Sequence, residues 1–296
     1  MILVVGATGE LGSRVCKNLI AKDQSVRAMV RRNSNQEVVE TLKTLGAEVV
    51  VADLKDPTSL KLACIGVDTV VSTATSVSRP SETDTFESVD HQGQINLVTL
   101  AKECGVKHFV FVSFPEFQGT FPLQSAKRAV EASLQASGMD YTIIQAPHFQ
   151  ESWLTAPTGI NPETNAILTF GGGEGKVSWI AIDDVCEAIS TSVKAPEARN
   201  RILKVGGPEA LSQQDIILLC ENLTGKSFKR ENIPQEQLDT MSASEDPMMQ
   251  TFSGLMTVCV NEGCEVDNTE AQQILGFRPR PIKDHLTQLV ASLSSS

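Results

Sequence analysis

The chain has 296 residues, of which 41% are hydrophobic and 21% charged, values typical of a folded globular protein rather than a disordered one. Its net charge of −11 argues against a nucleic-acid partner, because such proteins normally carry a basic patch. No apolar run is long enough to span a bilayer, and the first apolar segment begins at Ile2 without a charged leader. We therefore expect a cytoplasmic protein without a membrane span.

The seven cysteines are scattered along the chain, and none forms a Cys-x-x-Cys pair. In a cytoplasmic protein of this size we expect them to be reduced and mostly buried. We expect no metal site.

The first half of the chain alternates short apolar segments with segments of helical periodicity. The predicted strands span residues 2–5, 25–30, 48–52, 69–72, 108–112 and 141–144. The predicted helices span residues 11–21, 36–45, 57–65, 86–104 and 125–136. Strands that alternate with helices indicate right-handed βαβ units, so we predict an α/β fold with a Rossmann-type doubly wound parallel sheet.

This alternation breaks at about Pro147. Beyond it the sequence predicts a loop at 157–165, a glycine turn at 171–175, helices at 183–193 and 212–223, and a strand at 201–205. We therefore divide the chain into a nucleotide-binding domain, residues 1–150, and a smaller C-terminal substrate-side subdomain, residues 151–296, packed on the first or interleaved with it. The methionine-bearing stretch 241–256 fits a substrate pocket, a partner surface or plain core, and these alternatives stay open.

A glycine-rich turn follows the first predicted strand at once and opens the first helix. Its sequence is Gly6-Ala7-Thr8-Gly9-Glu10-Leu11-Gly12, with GxxGxxG spacing. Such glycines let the backbone approach a pyrophosphate, and the helix N-terminus supplies unpaired N–H groups and a positive dipole end. The alternative is a turn kept only for close packing of helix on strand. We predict a dinucleotide site with contacts from Gly6, Thr8, Gly9, Glu10, Leu11 and Gly12.

The end of the second predicted strand indicates which dinucleotide is bound. A site selective for NAD places an acidic residue there, but this chain has Arg31 and Arg32. Two guanidinium groups can pair with a 2′-phosphate, so we predict NADP(H). The alternative is a pair of solvated arginines. Asp53 and Leu54, just after the third predicted strand, are expected to meet the adenine.

These motifs resemble the NmrA-like branch of the atypical short-chain dehydrogenases/reductases. Besides the turn, the resemblance rests on Val30-Arg31-Arg32, Ala52-Asp53-Leu54, Gly105-Val106-Lys107-His108 and Ser137-Gly138-Met139-Asp140-Tyr141-Thr142. It implies a Rossmann domain with a small substrate domain, and NADPH as the usual cofactor. It also implies that the loops after the fourth and fifth strands line the nicotinamide. We accordingly expect cofactor contacts from Thr73, Ala74, Thr75 and Ser113, and we expect a further contact from Pro147, which follows the sixth predicted strand.

The sequence departs from the catalytic pattern of typical short-chain reductases, which use a Tyr-x-x-x-Lys pair. The single tyrosine, Tyr141, is followed four residues later by Gln145, and Leu123 stands four residues before Lys127. Lys127 matches the lysine that isoflavone-reductase-like proteins place near the nicotinamide ribose, so it is expected to hold the ribose or act as a general acid. The alternative is a surface lysine.

His148 follows the sixth predicted strand, where ligands bind in such folds, and is the second candidate catalytic residue. We expect it to donate a proton to substrate, the alternative being a structural histidine.

Two functions remain open on the sequence alone. The first is an NADPH-dependent oxidoreductase that transfers hydride to a small apolar or aromatic acceptor, such as a quinone or an activated alkene. Such a transfer can proceed without a strong enzymic acid, because the cofactor carries the difficult chemistry. The second is a catalytically silent NADP(H)-binding sensor, regulator or assembly factor that acts through a protein partner. A monomer and a homodimer are both compatible with the sequence.

Overall fold

The computed structural model of the chain describes residues 1–77, 81–161, 164–260 and 262–291. The strands are β1 Ile2–Val5, β2 Val26–Val30, β3 Glu48–Val51, β4 Thr69–Ser72, β5 His108–Ser113, β6 Asp140–Gln145, β7 Ile160–Asn161, β8 Ala166–Phe170, β9 Arg201–Lys204 and β10 Lys229–Ile233. The helices are α1 Glu10–Ala21, α2 Gln36–Thr44, α3 Pro57–Cys64, α4 Gln92–Glu103, α5 Pro122–Ser137, α6 Gln150–Trp153, α7 Ile182–Ser192, α8 Gln213–Thr224, α9 Gln235–Ser242, α10 Pro247–Thr257, α11 Thr269–Leu275 and α12 Ile282–Ala291. A π-helix, Phe86–His91, precedes α4, and a 3₁₀ turn, Pro196–Ala198, precedes β9.

The main sheet is parallel, with the strand order β3-β2-β1-β4-β5-β6-β9 within the described residues. Side chains alternate between its faces along each strand. In β1, Ile2 and Val4 pack with α1 and α7 on one face, whereas Leu3 and Val5 pack with α3 and α4 on the other. Helices therefore cover both faces, and the prediction of a doubly wound Rossmann-type sheet is confirmed.

Local chemistry fixes several helix boundaries. The Asn35 side chain accepts hydrogen bonds from the second and third backbone N–H groups of α2, and Asp56 caps α3 just before Pro57. Gly138 ends α5 with a φ of 78°, a left-handed conformation that suits glycine.

The structure differs from the predicted elements at residues 86–104 and within the predicted loop 157–165, where Ile160–Asn161 form β7. The single helix predicted at 86–104 is a π-helix followed by α4, and the wider π-turn buries Phe86, Val89 and Asp90 together. The strand predicted at 201–205 is β9, which pairs with β6 in the main sheet. The second half of the chain is therefore interleaved with the first, and the division at residue 150 stays a proposal.

A second, three-stranded sheet has the order β10-β8-β7 and lies with α8, α10 and α12 around an aromatic-rich core. The methionines of stretch 241–256 divide between core and surface. Met256 is buried, whereas Met249 is 45% exposed. Met241 and Met248 are partly buried and pack against this core. Of the predicted loop 157–165, residues 162–163 lie outside the described part of the chain.

Candidate functional site

The loops that follow β1 to β6 meet at the carboxyl edge of the main sheet. This is the edge at which open α/β sheets bind ligands, and the chain order switches there between the neighbours β1 and β4. The site residues predicted from the sequence lie in these loops, in the α1 N-terminus, at the last residue of β5 in the case of Ser113, and in α5 beside β5 in the case of Lys127.

The glycine turn brings the start of α1 into contact with the end of β1. Gly6 has a φ of +84°, and its carbonyl accepts the Gly9 N–H at 2.9 Å. A Cβ added to Gly12 would lie only 2.1 Å from the Gly6 oxygen. Gly12 is therefore required for the turn itself. A Cβ at Gly9 would make one tight contact, with that oxygen at 3.2 Å, and would meet no other heavy atom of the described residues within 4 Å.

The first turn of α1 presents backbone N–H donors beside Gly9 that have no acceptor among the described residues. The Ser13 N–H makes the first helical bond, to the Gly9 carbonyl at 2.9 Å. The N–H groups of Glu10, Leu11 and Gly12 precede it and have no helical acceptor. The Glu10 carboxylate is directed along the helix to Arg14, at 3.2 Å. This arrangement of donors and open backbone fits a pyrophosphate.

Ser34 joins this turn to the end of β2. Its hydroxyl accepts a hydrogen bond from Thr8 Oγ1 at 3.3 Å and one from the Arg31 N–H at 2.9 Å. The predicted pyrophosphate turn and the predicted 2′-phosphate arginines are thus held in one fixed arrangement.

Arg31 does not stand alone at the end of β2. Its guanidinium lies 2.6 Å from the carboxylate of Asp84, and Lys55 Nζ approaches the other oxygen of that carboxylate at 2.5 Å. The hydrogen bond from Lys55, followed by that from Arg31, lowers the pKa of Asp84 and keeps it ionised. Arg32 is exposed. The sequence analysis did not single out Lys55 or Asp84.

The loop after β3 is ordered by its own side chains. The Asp53 carboxylate accepts the Lys55 N–H at 2.9 Å, and the Asp53 N–H donates to Ser59 at 3.1 Å. Leu54 is buried against Gly93 at the start of α4, where an added Cβ would lie 2.9 Å from the Leu54 Cβ. Asp53 stays partly exposed at the edge.

Buried polar side chains anchor the loop after β4. Gln94 accepts the Ser72 hydroxyl at 2.8 Å and donates to the Ala74 carbonyl at 3.1 Å. Ser76 donates through its N–H and its hydroxyl to Asp90 Oδ2, at 2.9 and 2.6 Å. Asp90 and Gln94 were likewise not among the site residues predicted from the sequence. Their spacing of four residues within a predicted helix, which places them on one face, was the available signal.

Thr73 ties the same loop to β1, since both its N–H and its hydroxyl donate to the Val5 carbonyl, at 3.0 and 3.1 Å. A Cβ added to Gly12 would also lie only 2.8 Å from the hydroxyl oxygen of Thr73. Loop, turn and helix are therefore packed too closely for a larger residue at Gly12.

Lys127 is buried at the carboxyl end of β5 and is only 7% exposed. Its ammonium donates to the Val112 carbonyl at 3.1 Å and lies 4.7 Å from the centre of the Phe111 ring. Burial lowers the pKa of Lys127, while Asp90 and Glu131 act in the opposite direction. The alternative of a surface lysine is wrong.

Ser113, at the end of β5, is buried and accepts a hydrogen bond from Arg128 at 2.9 Å. Arg128 also donates to the Phe114 carbonyl at 2.5 Å and pairs with Glu131 at 3.1 Å. Ser113 is therefore already engaged by the protein.

His148 lies in an aromatic cluster and is 1% exposed. The rings of Trp153, Trp179 and Phe117 have their centres 5.3, 5.5 and 5.6 Å from its own. Its Nε2 lies 3.0 Å from the Leu255 carbonyl, which can only accept, so Nε2 carries the proton. Burial lowers the pKa of His148 to about 4. A neutral ring whose one N–H is engaged is not a proton donor, so the expected role in donating a proton is not supported. Its Nδ1 has no partner among the described residues and is an acceptor.

Tyr141 lies near the start of β6, at the amino edge of the sheet, whereas Gln145 ends that strand beside the site.

The seven cysteines are free thiols, and burial raises the pKa of Cys16 and Cys259 to about 12. Within the described ranges, no three His, Cys, Asp or Glu side chains are grouped to hold a metal ion. In the same residues, no helix has both the length and the apolar character of a membrane span.

The doubly wound sheet, with its glycine turn after β1, defines a Rossmann-type fold. Within that class the chain belongs to the NmrA-like family, whose model matches residues 1–285. The resemblance seen in the sequence motifs is thereby confirmed.

Similar proteins include enzymes and an assembly factor. The photosystem II assembly factor Ycf39 of Trieres chinensis is 33% identical over 235 residues, 79% of this chain and 72% of that protein. The NAD(P)H azoreductase of Xenophilus azovorans is 30% identical over 239 residues, 80% of this chain and 78% of that enzyme. The NADPH-dependent quinone oxidoreductase QOR2 of Escherichia coli, solved with NADPH, shares the fold with a TM-score of 0.79 and 19% identity, over 98% of this chain and 100% of that one.

Proposed function

We propose that the chain is an NADP(H)-dependent reductase that transfers hydride to a small apolar or aromatic acceptor, such as a quinone or an activated alkene. The observation that carries the proposal is the position of the buried Lys127 at the sheet edge that also holds the glycine turn. The azoreductase and the quinone oxidoreductase among the similar proteins support the same class of reaction.

The residues at this edge of the sheet can be assigned in turn to the pyrophosphate, the 2′-phosphate, the adenosine and the nicotinamide of NADP(H). The pyrophosphate would lie on the N–H groups at the start of α1, in the space that Gly9 leaves open. The 2′-phosphate would pair with Arg31, Arg32 and Lys55, and Asp53 and Leu54 would face the adenosine. The nicotinamide end would meet the remaining predicted contacts, Thr73, Ala74, Thr75, Ser113, Lys127 and Pro147.

The acceptor would bind beyond the nicotinamide, toward the aromatic cluster around His148. The bound cofactor supplies the hydride, and the chain supplies a proton. We assign the proton to Lys127, whose ammonium is buried and whose lowered pKa makes it a better acid near neutral pH. Trp153, which is only partly buried at the side of this cluster, would offer its ring to an aromatic acceptor.

Two measurements test the proposal. NADPH consumption is followed with menadione, an azo dye and an enone, and the dissociation constant of NADPH is measured by calorimetry. We expect consumption with at least one acceptor, and its loss in a Gly9→Val variant. Tight NADPH binding without consumption of any acceptor would overturn the reductase.

A second candidate function is that of an NADP(H)-binding assembly factor or regulator that turns nothing over. The 33% identity to a photosystem II assembly factor favours it. In that case the partner is a protein, and NADPH should alter partner binding without being consumed. The cytoplasmic location stays a proposal in either case, as does the choice between monomer and homodimer.

A further inference from the structure

Two buried charged side chains belong to the elements that meet where the π-helix Phe86–His91 packs on α5. Asp90, on the π-helix, is 0% exposed, and Lys127, on α5, is 7% exposed. The Asp90 charge favours the protonated form of Lys127, so the two groups interact. π-Turns within helices occur frequently at functional sites, and this one carries a buried carboxylate toward the proposed nicotinamide loop.

Each of the two groups has hydrogen-bonding capacity that its neighbours leave unused. Asp90 Oδ2 accepts two bonds from Ser76, whereas Oδ1 is buried and has no partner among the described residues. The Lys127 ammonium has three N–H donors, and in the described part of the chain the Val112 carbonyl is its acceptor. The two charges do not approach within 4.0 Å, the limit for a direct ion pair. A buried polar atom without a partner is costly, which argues that Oδ1 serves a purpose.

We propose that Asp90 is a positioning residue of the reductase site, which fixes the Ser76 loop with one carboxylate oxygen and keeps Lys127 protonated with its negative charge. This inference rests on the proposed reductase function. In the reaction the acceptor takes the hydride at one atom and a proton at its oxygen or nitrogen. The N–H bond of Lys127 breaks to supply that proton, and solvent water then reprotonates the neutral amine. Asp90 touches neither substrate nor cofactor.

The other charged groups around Lys127 are compensated. Glu131 lies one helical turn along α5, but it pairs with Arg128 at 3.1 Å and accepts the Gln145 amide at 3.1 Å. Arg128 itself acts against the protonated form of Lys127. From β5 the neighbours of Lys127 are the neutral Phe111 ring and Val112 carbonyl. Asp90 is therefore the group whose charge is least offset by a neighbour.

An Asp90→Asn variant tests the pairing directly. The side-chain carbon signal of Lys127 is followed by NMR in lysine-labelled protein as the pH is raised, and it is identified by its loss in Lys127→Met. We expect the titration midpoint of Lys127 to fall by about one pH unit in Asp90→Asn, since an opposite charge nearby has been removed. The matched control is Asp184→Asn, which removes a carboxylate that is also buried but is held by Arg280, 3.2 Å away. The control should leave the midpoint unchanged.

The pH dependence of NADPH oxidation with menadione provides a second readout. The rate should fall as the pH rises and Lys127 loses its proton, and in Asp90→Asn this fall should move to lower pH by the same interval. The dissociation constant of NADPH should change less than about threefold. The reason is that the glycine turn and the cations Arg31, Arg32 and Lys55, which are proposed to bind most of the cofactor, are distant in the site from Asp90. If no acceptor is consumed, the reductase proposal fails, while the NMR titration still decides whether Asp90 and Lys127 are coupled.

A Lys127 midpoint that stays in place in Asp90→Asn, or that moves equally in Asp184→Asn, overturns the inference. Should Asp90→Asn fail to fold, Asp90→Ser replaces it, since that small neutral side chain also removes the charge. The Lys127 midpoint should then fall as it is expected to fall in Asp90→Asn. An unchanged Lys127 midpoint overturns the inference equally.

Discussion

The guanidinium of Arg31 lies 2.6 Å from the carboxylate of Asp84, although the two residues are 53 positions apart in the chain. Lys55 binds the same carboxylate from the adjacent loop, at 2.5 Å. Two of the three cations proposed for the 2′-phosphate of NADP(H), Arg31 and Lys55, therefore already share a protein anion. The affinity of this site for a phosphate then depends on the charge of Asp84 as well as on the arginines.

We expect an Asp84→Asn variant to bind NADPH about threefold to tenfold more tightly, a gain of about 0.7–1.4 kcal/mol. The reason is that Arg31 and Lys55 lose a competing negative charge. NADH affinity should change much less, since NADH has no 2′-phosphate. Calorimetric titration of both cofactors measures the effect, and Glu82→Gln, which removes an exposed charge two residues away, is the control. Equal gains for NADPH and NADH would contradict the assignment of the 2′-phosphate to this cluster.

The wild-type protein should bind NADPH at least about tenfold more tightly than NADH, a difference of about 1.4 kcal/mol. Replacing Arg31 and Arg32 together with methionine should remove most of this preference, because both guanidinium groups are proposed to face the 2′-phosphate. NADH binding should stay largely intact. A double variant that keeps the preference would show that Lys55 alone, or another site, selects the cofactor.

The two glycines of the turn should respond differently to substitution. Gly9→Val should abolish binding of NADPH and NADH while the protein stays folded, because a Cβ there has one tight contact, the Gly6 oxygen at 3.2 Å, and the side chain fills the proposed pyrophosphate space. Gly12→Ala should lower the free energy of unfolding by about 1–3 kcal/mol, since its Cβ overlaps the Gly6 oxygen. Urea denaturation and calorimetry separate the two effects. Normal NADPH binding by Gly9→Val would mean that the phosphates lie elsewhere.

Lys127→Ala should lower turnover roughly 10²-fold, the lower range for help from a general acid. NADPH affinity should fall much less. Lys127→Met, which keeps an apolar stem in the buried position, separates loss of the ammonium from loss of packing. Tyr141→Phe is the comparison and should be nearly silent, because Tyr141 lies near the amino end of β6. An essential Tyr141 beside a dispensable Lys127 would contradict this account of the site.

His148 should make the stability of the protein depend on pH. Its pKa is about 4 in the folded state, against about 6.5 for an exposed histidine, so only the unfolded chain binds the proton between these values. The stability is present in full above about pH 6.5 and is lost as the pH falls toward 4. At pH 5 the loss should be about 2 kcal/mol for this residue.

Urea denaturation at pH 7 and pH 5 measures this loss, and His148→Phe should reduce it. His108, whose pKa burial lowers to about 3, should contribute a loss of its own that persists in this variant. Phe149→Leu, a change at the next residue without a titratable group, should keep the full loss. The assignment fails if His148→Phe and the wild type lose the same free energy.

The sequence by itself determined the βαβ alternation, the glycine turn and the cluster of candidate residues at one sheet edge. These features are local, because apolar periodicity sets each element and a parallel sheet brings the carboxyl ends of its strands to one edge. The strand at 201–205 was also predicted, but its pairing with β6 was not. The sequence of a short strand does not determine which other strand it pairs with.

Tertiary structure alone decided the charges around the site. Asp84 reaches Arg31 and Lys55 from a loop far along the chain, and no local pattern encodes such a contact. The protonation of His148 likewise follows from its burial and from the Leu255 carbonyl, 107 residues away in the chain. The sequence predicted Lys127 as a candidate site residue, but it did not predict the burial of Lys127 or its proposed interaction with Asp90. Burial and charge pairing depend on which elements pack together, whereas periodicity reports only which face of an element is apolar.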